Sequence, residues 1–268
     1  MIDVTIQTGI GPSSFKGEML EREHSFAGMS LLFADGKRPS AIDVERVLNS
    51  AELSNSGACI SFRPDGDEGW IELLVNGLTF DMAGLKPATS DRLPECAYSF
   101  GLGDVSTLSG LEAVSIVPGQ HIYGGHAMQP VVRSMASVVA QLALPLSAKA
   151  VCWHPASIWM EPSYFARIVM NWVSGGAFPA LGLTAVDRTE DGAVLSRGLD
   201  YFIGQEVMLP PVAGEEAADT VKLAVRLIDF LVRNGPLDKP QELEGPGGEA
   251  MLAEPVEKGS RVRIIRGA

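Results

Sequence analysis

An α+β fold is what the sequence predicts, in two units that each carry an antiparallel hairpin and have helices packed on one side of the sheets. Three observations predict it. Asn76-Gly77 lies between the apolar runs WIELLV and LTFDM, and Asn-Gly in that setting is the strongest short-range hairpin signal. FPALGLTAV and GAVLSRGLDYFIGQEVML flank the turn-like RTEDG and read as a second hairpin. Met128, Val131, Val132, Met135, Val138, Val139 and Leu142 recur at the i, i+3, i+4, i+7 spacing of a helix that faces a core.

The first third reads as β-α-β-β. MSLLF, 29–33, is a short apolar strand bounded by DGKRP. Over 40–53, Ile42, Val44, Val47 and Leu48 fall near one helical face, and Ser40 caps its start. GACISF predicts a buried strand, and RPDGDEG supplies the residues that turns require. From Ala83 to Glu112 prolines and scattered glycines leave no period, so this stretch reads as a connector, and the expected units are residues 1–112 and 113–268.

The second unit opens with the strand AVSIV. The long helix follows, with Pro130 tolerable only in its first turn and Leu144-Pro145 ending it. AKAVCW is then a central buried strand, because a run able to fill a core ends abruptly at His154-Pro155, where the ladder cannot continue. Pro162 opens the next helix at a position where no N–H is needed, with Phe165, Ile168, Val169, Trp172 and Val173 inward up to Gly175-Gly176. Trp159 should cover the open end of the sheet and bury its ring. Residues 216–233 form an amphipathic helix through Val221, Ala224, Val225, Ile228, Leu231 and Val232, closed by Asn234-Gly235-Pro236. The remainder, punctuated by Pro and Gly, reads as a loop-like tail, with RVRIIR an edge strand at the end.

Composition narrows the classes of function. With 268 residues, 46% of them hydrophobic and 20% charged, the chain has material for a sizeable core without disulfides. Its three cysteines, Cys59, Cys96 and Cys152, are odd in number and far apart, which fits a reducing compartment. MIDVTIQTGIGPSS has no basic start and no apolar run of a signal peptide, so a cytoplasmic protein is expected. The most membrane-like stretch, 127–144, carries Gln129, Arg133 and Gln141 and reads as a buried helix instead. A net charge of −12 without clustered Lys and Arg argues against nucleic acid and anionic membranes as ligands and suits a basic protein partner.

AVCWHPASIWMEPSYF, 150–165, is the stretch richest in chemistry. Cys152 and His154 are two apart, so a strand puts both on one face, as a thiol–imidazole pair would require. The apolar run around Cys152 argues instead for a core thiol, with His154 at the strand's exit. Cys152, His154 and Glu161 have no recognised metal spacing, nor do His121 and His126, so no metal ligands are assigned. GIGPSS lacks the third glycine of a dinucleotide fingerprint, and DGDEG lacks the spacing of a calcium loop, so no cofactor is assigned either. Asp200, Gln205 and Glu206 interrupt an otherwise apolar strand and read as its solvent face. No residue is thereby assigned as catalytic.

The helix leading into AKAVCWHP, the PSYF helix start and GLDYFIGQE together resemble an uncharacterised bacterial family catalogued as domain of unknown function 4261, over residues 115–235. The resemblance implies a bacterial, non-secreted α+β protein and brings no catalytic residue or cofactor with it. It also implies a role beside toxin or secretion systems. The expected function is therefore a non-catalytic protein-binding module, with a protein as partner. The alternative is a small-molecule hydrolase or transferase that uses Cys152 and His154.

Overall fold

Asn76 and Gly77 both take positive φ (52° and 83°), as a tight right-twisting hairpin demands, and they close β3 (Trp70–Val75) onto β4 (Leu78–Ala83). The computed structural model describes residues 27–51, 57–66, 68–103, 105, 108–212 and 214–267. VTIQT and GIGPSS lie outside the described residues, as does Asp67 of the DGDEG turn. The structure is α+β, with helices and two mixed, mostly antiparallel sheets of eight and six strands.

The larger sheet has the order β2-β3-β4-β6-β1-β7-β8-β5. At its middle, β1 (Met29–Ala34) is flanked by β6 (Leu111–Pro118) and β7 (Ala150–Trp153), both antiparallel to it. MSLLF is apolar on both faces because both are covered. Met29, Leu31 and Phe33 enter the main core, while Leu32 joins a smaller cluster on the opposite face. α1 (Ala41–Leu48) starts at Ser40, whose hydroxyl and backbone form a reciprocal capping box with Asp43. β2 (Ala58–Phe62) corrects an expectation. It is an edge strand with a register shift between Ile60 and Phe62, so Cys59 is exposed and Phe62 is 51% exposed.

The connector is also more than a link. Its middle forms β5 (Tyr98–Phe100), which pairs in parallel with β8 (Ile158–Met160), and Cys96, Leu102, Val105 and Leu111 cover the second face of the sheet. The expected division at residue 112 falls inside β6, so the larger sheet draws strands from both sides of it. The sheets instead divide the chain between Met160 and β9 (Ala185–Arg188), and one continuous hydrophobic core serves both.

α2 (Gln129–Ala143) lays its predicted apolar stripe across β1 and β6, and it is a buried helix as the sequence requires. Met128 is its N-cap and 62% exposed, one position too early to reach the core. α3 (Pro162–Val173) begins with Pro162 in its first turn and packs on α2. α4 (Ala180–Leu183) is a single turn. Among the described residues no helix is long and apolar enough to cross a membrane.

The smaller sheet has the order β12-β13-β14-β11-β10-β9. β10 (Val194–Arg197) closes the expected hairpin with β9, but the run after it is not one strand. It breaks into the helical turn α5 (Asp200–Ile203), then β11 (Glu206–Leu209) returns antiparallel to β10. α6 (Ala217–Asn234) buries Leu223, Leu227, Ile228 and Leu231, while Val221 and Val225 stay half-exposed, so its inward face is rotated from the one expected. The tail expected to be a loop is a meander: β12 (Gln241–Glu244), β13 (Ala250–Val256) and β14 (Arg261–Arg266). RVRIIR is not an edge strand, since β14 lies between β13 and β11. Pro255 is accommodated because β12 pairs only with Ala250–Ala253, which leaves the far end of β13 open on that side.

Candidate functional site

The stretch 150–165 is held at the centre of the larger sheet. β7 is buried along its whole length, and Cys152 is 0% exposed, pointing into the smaller cluster with Leu32, Trp159 and Cys96. Burial, helped by the neighbouring Cys96, pushes the Cys152 thiol far up, so near neutrality it is protonated. A nucleophilic cysteine needs the opposite environment. The expected core thiol is what the fold builds, and Trp159 is 5% exposed beside it.

His154 leaves the sheet in a tight turn over 154–156, where its Nε2 lies 2.9 Å from Ser30 Oγ. Ser30 stands opposite both Ser115 on β6 and Cys152 on β7, so this face carries a row of small polar groups across three strands. A serine beside an imidazole has the outline of an activated nucleophile, but Ser30 is 1% exposed and offers no approach to a substrate. Beside this pair, Asp91 accepts from the Ser115 hydroxyl. Glu161 is committed as well: as N-cap of α3 it accepts from the Ser163 hydroxyl (2.5 Å), Ser163 N (3.0 Å) and Tyr164 N (2.6 Å), and these bonds hold its carboxyl below its usual range against desolvation.

β7, the His126 turn and α5 meet in space. Trp153 donates its indole N–H to the Leu183 carbonyl (2.7 Å), meets Tyr201 edge-on at 5.2 Å and stacks with Phe202 at 6.0 Å. Tyr201 O–H donates to the His126 carbonyl (3.0 Å), so its oxygen accepts from the His126 ring at Nδ1 (3.0 Å), which sets the tautomer. Burial pushes that phenol far up, which keeps it neutral. Gly198, at φ +79°, sits so close to Ala156 that an added Cβ would lie 2.7 Å from that residue's own. Gln205, 4% exposed, donates to the Leu237 and Gly259 carbonyls and accepts from Leu237 N, a fully satisfied junction residue.

Asp200, Gln205 and Glu206 were expected on one exposed strand face, and here the structure differs. Gly204, at φ +72°, ends α5 and folds Glu206 back toward Asp200, whose N–H lies 3.4 Å from Glu206 Oε1. Asp200 is exposed and Gln205 buried, while Glu206 is half-buried and accepts from the Ser196 hydroxyl. Desolvation, reinforced by the Asp200 carboxylate, pushes the Glu206 carboxyl up to about 7, against the Ser196 bond that lowers it. Among the described residues no three His, Cys, Asp or Glu side chains are grouped to hold a metal ion; His121 lies exposed on the surface and His126 is bonded to Tyr201.

The surface is more informative than the sheet centre. Between α1 and α2 runs a groove of about 630 Å³ with Val47, Ala51, Ala140, Leu144 and Pro145 in its walls. Leu144 is 52% exposed, and Ile42, on α1, is 54% exposed. Gln141 also lines the groove, and its Oε1 is buried without a hydrogen-bond partner. Sequence reading placed the apolar positions of both helices but not the gap between them, because that gap depends on how α1 docks.

No family model, curated protein or solved structure matches this chain.

Proposed function

We propose that this chain is a non-catalytic protein-binding module of the bacterial cytoplasm, acting in toxin neutralisation or beside a secretion system. The observation that carries the reading is the apolar groove between α1 and α2, whose wall residue Leu144 stays half in solvent. A groove between two helices takes an amphipathic partner segment through its apolar side chains. The buried, unpartnered Gln141 Oε1 asks in addition for an N–H donor. The net charge of −12 favours a basic partner and speeds its encounter. The resemblance of residues 115–235 supports the bacterial setting. A hydrolase or transferase on Cys152 and His154 would need a thiolate that substrate can reach, which a wholly buried thiol does not supply.

The test is affinity capture from the host with mass spectrometry, repeated with Leu144→Glu. Because Leu144 is largely exposed, this change leaves the fold intact while placing a charge in the groove. A partner recovered with the wild-type chain and lost with the variant supports the reading. Equal recovery by both chains, or capture of nothing under several growth conditions, overturns it.

A further inference from the structure

Arg133 interrupts the buried helix α2, and its surroundings are unlike those of every comparable arginine. Among the described residues, five arginines are buried or half-buried. Arg38, Arg261, Arg263 and Arg266 each meet a carboxylate, at Glu112, Glu257, Glu254 and Glu215. Arg133 meets none. Its Nη2 donates to the carbonyls of Trp172 (3.1 Å) and Val173 (3.0 Å) at the end of α3, and its guanidinium lies 5.3 Å over the Trp172 ring. Those bonds leave Nε and Nη1 without a protein acceptor. A half-buried cation without a counter-charge is costly unless something else supplies the charge.

The same guanidinium lines a cavity of about 230 Å³ between the start of α2, the end of α3 and the end of α6. Arg233 lines it too, with Gln129, Gly175 and Gly176, and no acidic side chain does. The nearby Asp229 is already engaged by Arg233 (3.1 Å) and by Phe178 N (2.8 Å). Arg233 is thus compensated, and Arg133 is the charge at this cavity that no described carboxylate meets, with room beside it. Arg133 Nε and Nη1, with the Arg233 Nη1 left over from its pairing with Asp229, can donate to an oxyanion with two or three acceptor oxygens. The carbonyl ends of α3 and α6 oppose an anion, but Arg133 Nη2 and the Gln129 amide, which donates to Val232 O (2.7 Å), cover them.

We propose that this cavity binds the carboxylate or phosphate group of a small metabolite, with Arg133 and Arg233 as its ligands. The cavity is smaller than the roughly 300–1,000 Å³ of drug-sized sites, which restricts the ligand to a small molecule. The site is separate from the α1–α2 groove, so it stands or falls independently of the partner reading.

The full chain would be titrated with inorganic phosphate and, separately, with benzoate, at ionic strength matched by chloride, and thermal unfolding followed. Saturable stabilisation above the chloride control is expected from at least one of the two anions, and which one responds tells phosphate from carboxylate chemistry. Arg133→Gln and Arg233→Gln should each weaken the response by about tenfold or more. Arg133→Gln also uncaps α3, so Arg233→Gln, at a side chain that is 57% exposed, decides the matter if the first variant does not fold. No saturable response to either anion, or a response unchanged in Arg233→Gln, overturns the proposal.

Discussion

Glu206 sits where ionisation works against the fold, and replacing it with Gln should show by how much. Its carboxyl is raised from an ordinary 4.5 to about 7 by burial and by the adjacent Asp200. Below pH 4.5 it is protonated in both folded and unfolded chains, so the shift has no effect on stability. Between these values the folded chain keeps the proton and the unfolded chain has lost it, so stability falls as pH rises, and above 7 the whole penalty is present. A shift of this size corresponds to roughly 3 kcal/mol, and solvent reaching the half-buried carboxyl reduces it to roughly 1–3 kcal/mol. Glu206→Gln keeps the shape and an acceptor for the Ser196 hydroxyl, and it presents an amide donor toward Asp200. Urea unfolding of both proteins at pH 4.5 and pH 8 measures the difference. The variant should match the wild type at the lower pH and exceed it by roughly 1–3 kcal/mol at the higher. Stability differences that are equal at both pH values would refute the reasoning, since a mere packing effect does not titrate.

Iodoacetamide should label the folded protein first at the exposed Cys59 and last at Cys152, followed by peptide mass mapping, while Cys152→Ala costs about 1 kcal/mol and leaves partner capture unchanged. Trp153→Phe strands the Leu183 carbonyl, which now accepts at 2.7 Å, and should cost about 1–3 kcal/mol in a urea titration. Gly198→Ala puts a Cβ both at a φ of +79° and against Ala156, so its loss of stability should exceed the roughly 1 kcal/mol of a glycine-to-alanine change in an unstrained left-handed position; a neutral change there would show that the turn can move.

What was legible in the sequence was whatever depended on neighbours along the chain. The Asn76-Gly77 hairpin, the stripe of α2, the proline start of α3 and the burial of Cys152 each rest on contacts that a local period or a single dihedral announces. What failed depended on position within a sheet. GACISF is apolar enough for a centre strand yet lies at the edge, and RVRIIR, with three arginines, lies inside because each of them is paired with a carboxylate, at Glu257, Glu254 and Glu215. The tail meander was hidden by its own turns, since Pro and Gly at the strand ends masked the alternation of Met251 and Ala253. Gly204 deceived in another way, for a left-handed glycine ends a helical turn as readily as it bulges a strand. At the candidate site, the two-residue spacing put His154 and Cys152 on one face correctly. Ser30, which His154 Nε2 meets, is 124 residues away, which no spacing rule reaches.

The contacts between β7 and α5 change what their residues argue for. Trp153, Gly198, Tyr201 and Phe202 are each accounted for by a contact that fixes the smaller sheet against the larger one, a ring or a close backbone approach, and Gln205 by bonds to Leu237 and Gly259 within the smaller sheet's own segment. Within the stretch 150–165, Trp153 is thereby accounted for by packing, as Cys152 is by its burial. Arg133 is the opposite case. It appears in the sequence only as a charge that spoils a membrane-like helix, and the fold then gives it a cavity and a second arginine but no carboxylate. Among the described buried and half-buried arginines it is the one that no carboxylate meets, and the open space beside it makes it the place to look for a ligand.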